Sequence, residues 1–130
     1  MSQIIDLVKK YNKAWTSKDD RALSPLLQER FTFTGPVIQL EGREEMVECV
    51  RQLPFTSSVE RVNFVTEGHN VVQTYDWVIT SPFQAQIPTS ELLEIKDGKI
   101  HRCRRYYDTA KLSKQTVDQL HQVMRRAKAA

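Results

Sequence analysis

The stretch that most limits what this chain can become is the succession of long alternating runs in its second half. Val59 to Thr66, Val71 to Thr80 and Phe83 to Ile95 each place apolar and polar residues in turn. That period suits strands with one buried and one open face. Gly68-His69-Asn70 and Ser81-Pro82 stand between the runs as turn sequences. Connections this short join antiparallel neighbours, so the sequence predicts a meander.

A fourth strand follows in the segment from Thr89 to Asp108, TSELLEIKDGKIHRCRRYYD, which turns at Lys96-Asp97-Gly98. Gly98 takes positive φ without steric penalty, and Asp97 suits a tight turn. A three-residue loop sets Leu93 opposite His101, Glu91 opposite Cys103, Thr89 opposite Arg105 and Ile87 opposite Tyr107. All of these then share one face. A two-residue Asp97-Gly98 turn pairs Glu91 with Arg104 instead, and the sequence leaves both registers open. On the first register Glu91, His101 and Arg105 lie among Ile87, Leu93 and Tyr107. Ionisable groups on an apolar sheet face form either a paired structural network or the lining of a pocket.

Helices are expected before the meander. Ile4, Ile5, Leu7, Val8, Tyr11, Ala14 and Trp15 recur at helical spacing from about Gln3 to Ser17. Asp19 is placed to cap a short second helix reaching Leu27, with Pro25 either kinking it or starting a fresh turn. Phe31-Thr32-Phe33-Thr34 reads as a short strand ended by Gly35-Pro36. A third helix runs from Arg43 to Leu53, closed by Pro54. A last helix, about Ser113 to Lys128, carries a thin apolar stripe of Val117, Leu120, Met124 and Ala127. Helices followed by a long antiparallel meander make an α+β fold whose sheet curls around them and leaves a concavity.

The 130 residues suit one domain, with residues 1–110 as its body and 111–130 as a helical extension. The net charge of +3 is mild, and no basic stripe is interleaved with aromatics, so nucleic acid is not an expected partner. No apolar run approaches membrane-spanning length and the N-terminus lacks a signal-like apolar core, so a cytoplasmic protein is expected. Cys49 and Cys103 read as buried free thiols. Three scattered histidines (His69, His101 and His121) offer no ligand spacing, so neither metal nor cofactor is expected.

In this order of elements the chain resembles the nuclear-transport-factor-2-like superfamily, in its SnoaL-like and ketosteroid-isomerase-like branch. The resemblance spans about Ile4 to Asp108. It rests on Trp15 and Asp19 closing the first helix, FTFTGPV, EGREEM opening the third helix, and DGKIHRCRRYYD. It implies a cone (a strongly bent sheet wrapped on three helices) with an apolar pocket at the open end, and homodimers through the sheet's outer face. It carries the isomerase's oxyanion-binding tyrosine to Tyr11 and its oxyanion-binding acid to Glu91. Wall positions fall at Tyr75, Trp77, Cys103 and Tyr107. The isomerase's general base falls at Gly35, which cannot move a proton. The aspartate that activates water in the limonene-epoxide-hydrolase branch falls at Arg105, which stays protonated. Asp108 matches a position acidic in many members, either as a structural tie or as a catalytic group.

Two functions follow as expectations. One is a site for a small apolar or amphiphilic molecule, possible isomerase-, cyclase- or hydrolase-like chemistry included. Glu91, Tyr11 and Arg105 would be its reactive groups. Trp15, Tyr75, Trp77, Ile87, Thr89, His101, Cys103, Tyr107 and Asp108 would contact the ligand. The other is a non-catalytic binding or dimerisation module.

Overall fold

The computed structural model describes residues 2–130, and side chains from Gln3 onward. Its elements are α1 (Ser2–Thr16), α2 (Asp20–Leu23), β1 (Leu27–Thr34), β2 (Gln39–Glu41), α3 (Arg43–Arg51), β3 (Thr56–Glu67), β4 (Asn70–Ser81), β5 (Ala85–Lys96), β6 (Lys99–Tyr107) and α4 (Lys114–Ala129). Asp19 accepts from the Ala22 N–H at 3.0 Å and so caps α2. That helix stops at Leu23. Pro25 then sits in the first turn of a short 3-10 segment, and Leu27 already belongs to β1. The second helix is therefore shorter, and the first strand longer, than periodicity suggested.

One six-stranded sheet runs in the order β2-β1-β6-β5-β4-β3. The last four strands form the expected antiparallel meander, and β1 lies parallel to β6. The inner face carries the core: Val71, Tyr75, Trp77 and Ile79 from β4, Ile87, Leu93 and Ile95 from β5, and Ile100 and Cys103 from β6. Val8, Tyr11, Ala14 and Trp15 of α1 and Met46, Cys49 and Val50 of α3 belong to the same cluster.

The β5–β6 hairpin corrects both anticipated registers. Its turn is the two-residue one, with Lys96 opposite Lys99 and both Asp97 (φ 52°) and Gly98 (φ 75°) left-handed. Between Glu94 and Ile95 the pairing then shifts by one, because His101 is an extra residue on β6. The bulge places Ile100 and Cys103 both in the core, and sets Leu93 opposite Cys103, Glu91 opposite Arg105 and Thr89 opposite Tyr107. The residues assigned to the inner face beyond the bulge are on it, but each has moved two places along its partner.

Ser113 caps α4 by accepting from the Thr116 N–H at 3.1 Å. Leu120, Val123 and Ala127 are buried, with Val117 and Met124 partly so. The helix lies against α3 and β2. Lys128 pairs with Glu45 at 3.0 Å, and Arg126 donates to Gln52 at 2.9 Å.

Candidate functional site

Alternation along β4 and β5 turns Gln73, Tyr75, Trp77 and Glu91 inward, and the His101 bulge brings Arg105 beside Glu91. Glu91 is fully buried and Arg105 is 8% exposed. Burial of a charge is costly unless every lone pair finds a donor. Here each one does. Glu91 Oε1 accepts from Gln73 Nε2 at 2.9 Å and from the Tyr75 hydroxyl at 3.0 Å. Its Oε2 accepts from Cys103 Sγ at 2.8 Å and from Arg105 Nε at 3.1 Å. Four donors occupy the two oxygens, two on each.

The network reaches α1. Asn12 Nδ2 donates to Gln73 Oε1 at 2.8 Å, and Gln73 Nε2 lies 3.0 Å from Asn12 Oδ1. The Tyr11 hydroxyl lies 3.7 Å from Cys103 Sγ. Burial holds the Tyr11, Tyr75 and Cys103 protons on well above the ordinary values. Burial also pushes Cys49 up to about 11. For Arg105 burial opposes the charge, but the Glu91 carboxylate and the neighbouring polar groups reverse that, leaving it more firmly protonated than usual.

Aromatic rings surround the guanidinium. Its carbon lies 4.3 Å from the Trp15 ring centre, 5.0 Å from Phe33 and 5.8 Å from Trp77. Trp77 in turn meets Trp15, Phe55 and Tyr107 edge-on, with centres 6.1, 5.5 and 5.3 Å apart. Three buried donors in this cage have no acceptor among the described residues: Trp15 Nε1, Trp77 Nε1 and Arg105 Nη2. The last lies 3.0 Å from Glu91 Oε2, yet its N–H bonds are not aimed there, so Nε carries that hydrogen bond.

Of the residues singled out in the sequence, Tyr11, Tyr75, Glu91, Cys103 and Arg105 form one bonded cluster. Trp15, Trp77 and Tyr107 form the rings beside it. Ile87 and Thr89 continue the same strand face, with the Thr89 hydroxyl turned back to the Ile87 carbonyl at 2.9 Å. Two others do not join. His101 is the bulge residue. Asp108 is exposed and accepts from the Ala110 N–H at 2.9 Å, capping the 3-10 turn after β6. Sequence reasoning overlooked Asn12, Gln73, Phe33 and Phe55. Gln73 carried a signal, being the polar member of the inward series Val71, Gln73, Tyr75, Trp77 and Ile79.

The protein resembles several solved structures. An NTF2-like protein of unknown function from Cytophaga hutchinsonii is 27% identical, with TM-score 0.70, covering 82% of this chain and 90% of that one. A candidate ketosteroid isomerase from Kribbella flavida is 17% identical, with TM-score 0.73 and coverage of 85% and 81%. An epoxide hydrolase of limonene-epoxide-hydrolase-like type from M. tuberculosis is 16% identical, with TM-score 0.73 and coverage of 100% and 95%. The last two likenesses show a shared fold. No curated protein sequence matches the chain. Residues 8–103 match the family described as the SnoaL-like domain, and a match over that much of the chain decides membership. The curved sheet, the helices and the sequence agree: this chain belongs to the SnoaL-like family, within the NTF2-like fold.

Proposed function

We propose that the protein binds a small, flat organic molecule bearing a carboxylate or carbonyl oxygen, held between Trp15, Trp77 and Arg105. The observation that carries this reading is the surplus of donors in the cage. Two indole N–H groups and one guanidinium nitrogen lie buried without an acceptor among the described residues, on side chains that pack against one another. A buried unsatisfied donor costs about 1–3 kcal/mol, so three together are expensive unless something accepts from them. The carboxylate or carbonyl oxygens of a ligand would offer them acceptors, and the rings would hold its flat body. The rings pack closely in this structure, so entry requires a side chain to swing out. Tyr107, half-buried and edge-on to Trp77, is the one at the surface.

Chemistry of the isomerase or hydrolase kind needs a base. The family resemblance puts Gly35 and Arg105 at the corresponding positions, and Glu91 already accepts from four donors. Glu91 acts here as the group that orients Arg105. Titration with benzoate, followed by calorimetry, tests the reading. Trp15→Phe keeps an aromatic ring and removes one orphan donor, so binding should weaken by roughly fivefold, the equivalent of one hydrogen bond. Absence of saturable binding to the native protein sinks the proposal.

A second reading, dimerisation, is favoured by the sheet's outer face. Val65, Val72 and Tyr106 are exposed there, and Val65 and Val72 are cross-strand partners. Apolar groups grouped on one face suit a self-complementary contact. Light scattering at micromolar concentration should give twice the chain mass, and a monomer would remove this reading.

A further inference from the structure

We infer that a second site, on the face of α1 that carries Lys9, Asn12, Lys13 and Thr16, takes a dispersed anionic amphiphile: a medium-chain carboxylate or sulfate with its tail along β3. A groove of about 600 Å³ runs between α1 and β3, within the size range of small-molecule sites. Its floor is apolar: Val59, Val62 and Phe64, all only partly buried by the protein. β3 is the outermost strand of the sheet, so these side chains have strand neighbours on one side only.

The rim decides the sign of the occupant. Lys9 and Lys13 stand one helical turn apart on α1, and neither belongs to any ion pair among the described residues. The Lys9 ammonium lies 5.9 Å from the Phe64 ring centre, over the apolar floor. The other polar groups of the lining are already engaged. Asn12 bonds inward to Gln73, the Thr16 hydroxyl donates to the Asn12 carbonyl at 2.7 Å, and Ser58 turns to Glu60 at 3.4 Å. No carboxylate lines the groove among the described residues. What remains is two free cations above an apolar trough, which complements an anionic head on a short tail. Two lysines on a concave groove suit a single molecule better than a membrane surface, where a cluster of four or more basic residues is typical. Asn12 lines the groove and bonds inward to Gln73, which in turn holds Glu91.

The test is calorimetric titration of the native protein with decanoate, below its micelle concentration, set against decanol. Decanoate should bind saturably, weakening as salt rises. Lys9→Gln and Lys13→Gln, both exposed and outside the core, should each weaken it by roughly three- to fivefold, and together to the level of decanol. Val62→Asp should abolish it. Trp15→Phe, the mild cage variant that keeps the buried Glu91–Arg105 pair, should leave it unchanged, whereas a loss there would put the amphiphile in the cage and end the two-site reading. Equal affinity for decanol and decanoate overturns the inference, as does absence of binding. Capture by anionic vesicles without binding of dispersed decanoate overturns it in favour of a membrane surface. Benzoate binding at the cage is read separately, so either site can fail alone.

Discussion

The β5–β6 hairpin carries two glutamate–arginine contacts on its two faces, and they differ in almost every physical respect. Inside, Glu91 meets Arg105 with 0% and 8% of their side chains exposed, four donors on one carboxylate and rings around the cation. Outside, Glu94 meets Arg102 at 2.8 Å and Arg104 at 3.6 Å, with 24%, 44% and 40% exposed. The distances are alike. The surroundings are not: water screens the outer charges and can replace either partner, while nothing replaces a lost partner inside. The inner contact must therefore be judged by what breaking it strands, and the outer one by what it adds.

Removing one inner partner gives the largest effect. Arg105→Met leaves a buried carboxylate without its cation, and Glu91→Gln leaves a buried guanidinium without its anion. Each should destabilise by ~3–5 kcal/mol in urea unfolding, and the double variant should recover part of that loss. Additive losses would make the two faces equivalent and undo the comparison.

Trp77→Ala should come close behind. The ring is 3% exposed and touches Trp15, Phe55 and Tyr107, so truncation should carry the full core penalty of ~3–5 kcal/mol. Its side chain is held as a core residue is. A markedly smaller loss in chemical denaturation would mean that the rings yield easily, as a ligand entering the cage would need.

The meander and the inner face of β5 and of β6 beyond the bulge could be read from alternation, and the helices from apolar residues at helical spacing, because each period of burial leaves its trace in residue order. The partner of Glu91 could not. The two-residue turn and the His101 bulge each shift the register, and only their sum returns Arg105 to the inner face. One trace of the bulge exists: Ile100 and Cys103 are both core residues, yet odd spacing should set them on opposite faces. Asn12 and Gln73 were missed for another reason. Each looks like a misplaced polar residue until the other, distant in sequence, satisfies it. Whether the cage is filled or hollow depends on rotamers of Trp15, Trp77 and Phe55, which no periodicity encodes.

The inner face should also show itself at alkaline pH. Tyr11, Tyr75 and Cys103 ionise less readily when folded than at their ordinary values of 10.0 and 9.0, because burial penalises the charged forms. Raised folded values mean that stability is complete below about pH 9 and falls as pH rises, when the unfolded chain releases protons the folded one keeps. The urea midpoint should therefore decline from pH 9 upward. Tyr75→Phe lowers the starting stability by removing one donor to Glu91, but it should flatten the decline. An unchanged slope would show that Tyr75 does not carry this part of the pH dependence.

The outer contact supplies the smallest effect and the control for all the others. Arg102 and, less strongly, Arg104 hold the Glu94 carboxyl below the usual range, with burial opposing them. A depressed carboxyl adds stability above its unfolded value and loses it as pH falls through the folded one. With so much of each side chain in water, that contribution is discounted heavily. Glu94→Gln should thus shift the urea midpoint by a small fraction of the Glu91→Gln shift at neutral pH, and by nothing once the solution is acid enough to protonate Glu94. Added salt should shrink it further while leaving the Glu91→Gln loss intact. The two variants make the same chemical change three residues apart, on one strand, on opposite faces. A Glu94→Gln loss as large as the inner one would mean that the outer face is buried in the working molecule, which a dimer through Tyr106 and Val72 would bring about. Repeating the measurement across protein concentrations separates that outcome, since burial between copies fades on dilution and burial within one chain does not.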